Sequence, residues 1–226
     1  VAILILILLI VVFAPTLWVR WVMRVHGREI PDLRGTGGEL AEHLLAELKI
    51  DGVGVEATDA GSHYDPQAKM VRLSPELYSG KSLTAVAVAA HEVGHAMQHH
   101  AGDRTLAARS ALVPIADRIA RLSVGMLYAA PLAGLVLRHP VPFSVLALVG
   151  IVGLVARMLV HLVTLPIELD ASFNKAMPVL VAGQYVAPSQ QPAARRILRA
   201  AALTYFAAAL ADVLNLARWA AILLRP

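Results

Sequence analysis

Long uncharged stretches alternate with short polar ones along this chain, and the lengths of the uncharged stretches predict its architecture. Residues 1–19, VAILILILLIVVFAPTLWV, carry no charge and are long enough to cross a bilayer as a helix. They have no basic leader and no small-residue cleavage site after them, so they read as a retained anchor rather than a signal peptide. Leu122 to Leu137 is also uncharged and contains Pro131. Val141 to Leu165 is broken by Arg157 and His161, and Ala200 to Leu224 holds Asp212, Asn215 and Arg218. RHPVP at 138–142 reads as a tight hairpin between the second and third stretches. The expected count is four spans, with three spans and one buried helix as the alternative.

The polar stretch 27–81 is the part that can fold like a soluble α/β unit. Leu40, Leu44, Leu45 and Leu48 recur at helical spacing within 36–50. Residues 51–58 and 68–74 alternate as two short strands, with YDP (64–66) as turn residues between them. From Ser82, a fitting N-cap, Ala, Val and Leu run on to His91 without a proline, which predicts a helix over 82–100. The fold class expected is mainly α: a polytopic helical membrane protein with a small α/β unit. Its parts are an anchor (1–23), a polar unit (24–121), a transmembrane hairpin (122–166), a following helix and polar segment (167–199) and a last membrane helix (200–226).

Composition agrees. Hydrophobic residues make up 58% and charged residues 16% of the 226, far from an ordinary soluble domain. The net charge of +4 is placed beside the apolar stretches: Arg20, Arg24 and Arg28, then Arg118 and Arg121, then Lys175, Arg195, Arg196 and Arg199. By the positive-inside rule these loops face the cytoplasm, and the charge calls for no nucleic-acid partner. The absence of cysteine excludes disulfides, thiolate metal sites and cysteine nucleophiles.

The chemistry lies in HEVGH, residues 91–95. Four residues is just over one turn, so His91 and His95 share a helix face and can hold one tetrahedral Zn²⁺, while Glu92 stands on the adjacent stripe. A catalytic zinc needs a third protein ligand from another element. His99 and His100 share the helix of His95 and cannot close round the ion from the far side. Glu168 and Asp170, directly after the third apolar stretch, are near equals by spacing alone.

HYDPQAKMVRLSPELYSGKSLTAVAVAAHEVGHAMQH (63–99), LVTLPIELDAS (162–172) and RRILRAAALTY (195–205) resemble the YugP family of neutral zinc metallopeptidases, membrane proteins of bacteria. That family is similar to HtpX-type and CAAX-prenyl membrane endopeptidases of the gluzincin kind, in which a later E-x-x-x-D motif supplies a glutamate ligand. The resemblance implies Glu168 as third ligand and leaves Asp170 without a part in metal binding. Where those relatives carry Asp, this chain has Ser172, a weaker acceptor for an imidazole N–H.

The expected activity is therefore a membrane-embedded zinc endopeptidase with one Zn²⁺ per chain, held by His91, His95 and Glu168, and Glu92 as general base. The resemblance places it in the bacterial inner membrane, and the arginine placement turns the site to the cytoplasm, with membrane proteins or their peptides as substrates. His63, Tyr64, Tyr205 and the arginines 195, 196 and 199 are candidates to stabilise an oxyanion. A zinc-binding scaffold without proteolytic activity is the alternative. It leaves Glu92 unexplained. A transporter would explain the intramembrane charges, which also fit an Arg157–Asp212 pair tying two spans, but not HEVGH.

Overall fold

The computed structural model describes residues 2–223, with the side chains of 2–9, 11, 12, 140 and 220–223 outside the description. It is mainly helical, with one small sheet. The described residues form two compact units, 17–107 with 165–204 and 2–16 with 108–164 and 205–223.

The first of these units begins with the end of helix α1, Ala2–Val25. Helix α2, Gly37–Glu47, opens on a capping box: Glu39 N–H donates to Thr36 Oγ1, and Thr36 N–H donates to the Glu39 carboxylate. It stops short of residue 50 because Lys49 turns to a positive φ of 54°. Strands β1 (Gly54–Ala57), β2 (His63–Asp65) and β3 (Met70–Leu73) form a sheet of order β1-β3-β2. β1 pairs parallel with β3, placing Val55 opposite Val71, and β2 pairs antiparallel, placing Tyr64 opposite Val71. β2 corrects the expected turn at 64–66: His63 and Tyr64 lie in a strand, and the reversal follows Asp65. Asp65 Oδ1 makes it by accepting the N–H groups of Gln67 and Ala68.

After the single turn α3, Pro75–Tyr78, helix α4 runs from Leu83 to His100 with the Ser82 hydroxyl accepting Ala85 N–H. Its apolar run is buried on nearly every side, as a helix without a polar face requires. Leu44 and Leu45 of α2, Val71 and Leu73 of β3, and Val86 and Val93 of α4 share one core. Leu180 of α7 (Met177–Ala182) and Ile197 and Leu198 of α8 (Gln191–Ala202) complete it.

The other unit holds most of α5 (Arg104–Leu137), most of α6 (Pro140–Leu169) and α9 (Thr204–Leu223). The predicted hairpin is present, and α5 starts well before the uncharged stretch. The helices over 104–137 and 141–182 are long and apolar enough to cross a membrane, and α8 with α9, bent by 40°, makes a third if taken as one span. The first of the four expected spans falls on α1, whose first side chains lie outside the description. Leu132, Leu135, Val136, Leu148 and Val163 are exposed, the arrangement of helices that face lipid. Arg157 Nε lies 3.4 Å from Asp212 and 3.3 Å from Asp117, and donates to His161 Nε2 at 3.2 Å. The anticipated Arg157–Asp212 pair is thus part of a four-residue cluster joining α5, α6 and α9.

Candidate metal centre

Helix α4 carries His91 and His95 on one face, and the end of α6 brings Glu168 to them. Their Nε2 atoms lie 3.1 and 3.2 Å from Glu168 Oε2, and all three side chains are buried. The rings stand 4.8 Å apart at 77°, so both can aim a nitrogen at one point. Among the described residues this is the group of His and carboxylate side chains that can hold a metal ion.

A close approach makes the meeting possible. A Cβ on Gly94 would sit 2.6 Å from the carbonyl oxygen of Ala171, so only glycine lets α4 reach this backbone. The backbone it meets is unusual: directly after Glu168 and Leu169 the chain widens into a π-helical segment, Asp170–Ala176, before α7. Such wide turns are frequent at functional sites. Its Ser172 is fully buried, donates to the Leu198 carbonyl at 3.1 Å, and faces His91 Nδ1 at 3.0 Å.

These hydrogen bonds fix the protons. With its own hydrogen given to Leu198, the Ser172 hydroxyl accepts from His91, so that ring carries its proton on Nδ1. Gln98 does the same for His95: its Oε1 lies 2.9 Å from His95 Nδ1. Both Nε2 atoms therefore turn lone pairs toward the Glu168 carboxylate, and none of the three converging atoms has a proton to give the others. One cation shared by all three satisfies such a set. Two imidazole nitrogens and a carboxylate oxygen are the donor set of a catalytic zinc, which leaves a fourth position for water or substrate. The residues fit the metal that the sequence implies. Glu92, buried beside His91 on α4, is the carboxylate next to it.

The structure gathers His91, Glu92, His95, Glu168 and Ser172 in one unit. It gives His63, Tyr64 and Tyr205, among the expected oxyanion donors, other partners. His63 Nδ1 donates to the Gly61 carbonyl at 2.8 Å. Tyr64 bonds to His99 Nδ1 at 2.7 Å, and burial, with Asp65 adding to it, pushes its phenol up to about 12. Arg195, Arg196 and Arg199 are exposed on α8. Tyr205 belongs to the other unit, where Arg109 donates to its hydroxyl at 2.7 Å. Gln98, which sequence reasoning passed over, enters instead, and with it Asp170, weighed there only as a ligand, whose Oδ2 accepts from Gln98 at 2.8 Å. The spacing held a signal for Gln98, since an amide three residues after a metal-binding histidine lies on the same helix face.

A family model described as "Putative neutral zinc metallopeptidase" matches residues 1–224. The "Putative membrane protease YugP" of Bacillus subtilis (strain 168) is 33% identical over 197 residues, which cover 84% of this chain and 81% of that protein. No solved structure matches the chain.

Proposed function

This chain belongs to the "Putative neutral zinc metallopeptidase" family, and on that premise we propose that His91, His95 and Glu168 hold one Zn²⁺ at which Glu92 drives hydrolysis of peptide bonds in membrane proteins. The observation that carries the reading is the buried convergence of the His91 and His95 Nε2 atoms on one Glu168 oxygen. The chemistry supplied by bound zinc is Lewis acidity at the scissile carbonyl and a nucleophile from water at neutral pH.

The chain's own residues do the rest. Ser172 and Gln98 keep the imidazole lone pairs aimed at the ion. Glu92 takes the proton of the attacking water and returns it to the leaving amine. The surrounding apolar helix excludes other water, which strengthens each of these interactions. A scaffold that merely bound zinc would have no use for a buried carboxylate beside it.

The relative's name speaks of a membrane protease; of the helices long enough to cross a membrane, 104–137 lies between His95 and Glu168, and 141–182 carries Glu168 toward its far end. If both cross, the chain returns to the side it left, as His95 and Glu168 require to share one ion on one side of a bilayer. The flanking arginines favour the cytoplasmic side, so the substrates proposed are membrane proteins or their juxtamembrane tails.

Glu92→Gln tests the mechanism. The amide cannot accept a proton, so cleavage of a casein or membrane-protein substrate should fall by at least about 100-fold while bound zinc stays at the wild-type level. Wild-type cleavage rates in this variant would sink the mechanism.

A further inference from the structure

Gln98 is 1% exposed, and every polar atom of its amide is engaged. Its Nε2 donates to the Ile167 carbonyl at 3.0 Å and to Asp170 Oδ2 at 2.8 Å. Both amide hydrogens are spent there, which fixes the orientation of the group and turns Oε1 to His95 Nδ1 at 2.9 Å. An amide oxygen cannot donate, so the ring must.

We propose that Gln98 and Asp170 are a positioning pair that sets the tautomer of His95 for the metal, Asp170 acting through the amide. The inference rests on the zinc reading of the same site. Without Asp170, one amide hydrogen loses a charged acceptor and the amide is free to turn over. Its NH₂ would then face Nδ1, and the imidazole proton would move to Nε2, where the ion belongs. The pair also ties the helix bearing two ligands to the end of α6, which bears the third. Asp170 Oδ1 is itself held by Asn174 Nδ2 at 2.8 Å, so the carboxylate is not free to swing away.

Carboxylates are common partners of metal-binding imidazoles. Here the charge stands one residue further out, and that reverses the usual expectation for Gln98→Glu. The new carboxylate would meet the Ile167 carbonyl and the Asp170 carboxylate with no hydrogen to offer either. Adding Asp170→Asn supplies a donor, because the new amide can give a hydrogen to the introduced carboxylate and still accept from Asn174.

The experiment is zinc affinity of the full-length protein in detergent, by competition with a chelator, with melting of each metal-free form measured alongside. Gln98→Glu should weaken zinc by about 10–100-fold, Asp170→Asn should change it little, and the double variant should regain most of the loss. Asp170→Ala should weaken it more than Asp170→Asn does. Wild-type affinity in Gln98→Glu, or a double variant no better than the single one, overturns the proposal while leaving the metal site standing. Should Gln98→Glu not fold, Asp170→Ala against Asp170→Asn decides, and equal affinities overturn the proposal. A wild type that takes up no zinc overturns the zinc reading and this inference with it.

Discussion

Gly94 shows how much one missing methyl group can decide. On helix propensity alone, Gly94→Ala should stabilise α4 by up to about 1 kcal/mol. The new Cβ would stand 2.6 Å from the Ala171 carbonyl oxygen, and both partners are backbone that cannot step aside. Overpacking of this kind costs about 1–3 kcal/mol, so the clash wins. Gly94→Ala should melt below wild type and bind zinc more weakly, because His95 and Glu168 are pushed apart together. A variant that melts higher would show that the approach is looser than described. At the same scale, the sequence made His91, Glu92, His95 and Glu168 visible because titratable side chains at fixed spacing announce chemistry. Gln98 was silent. An amide has no charge to notice, and its meaning depends on Ile167 and Asp170, some seventy residues away.

Among elements, those built from long patterns were legible and those built from local chemistry were not. Helix α4 and the hairpin of α5 and α6 follow from runs of apolar residues without breakers. β2 is three residues with one buried side chain, Tyr64, and Pro66 after it, so its sequence reads as a turn. The π segment has no sequence pattern at all; it reflects the fit of α6 against α4. The β2–β3 turn offers a test through acid. The Ala68 N–H leads in holding the Asp65 carboxyl below the usual range, helped by Gln67 and Arg72. A depressed folded value means that its contribution is present above the unfolded pKa of about 4 and lost as pH falls through the folded one. Asp65→Asn should therefore melt below wild type at pH 7, with the gap closing below about pH 4. A gap that widens in acid would contradict the turn as described.

For the whole molecule, the proposed cytoplasmic orientation of the metal centre has a direct test. The chain has no cysteine, so introduced ones can be read without background. Cysteines at Ala60 and Ser189, both exposed, should be shielded from an impermeant thiol reagent in intact cells, and one at His139, in the turn between α5 and α6, should react. Labelling of the first two from outside would invert the proposed orientation. The span count was the least legible property at this scale, because Asp212 and Arg218 dilute the last apolar stretch and α8 meets α9 at a bend. The Arg157 cluster shows why Asp212 is tolerated, since it sits beside an opposite charge on a neighbouring helix, while Arg218 reaches the Tyr128 hydroxyl at 3.4 Å.

The π-helical segment carries one more implication. A π segment is an α-helix with a residue inserted, and each inserted residue turns everything beyond it by about 100°. Glu168 lies just before it, while Met177 and Leu180, which face the core, lie after it. The segment therefore works as a phase adjuster within one continuous rod. Upstream, the angle of the helix is set by what a metal ion requires; downstream, by what a hydrophobic interior requires. The two demands need not agree, so the ligand can be aimed without repacking the core.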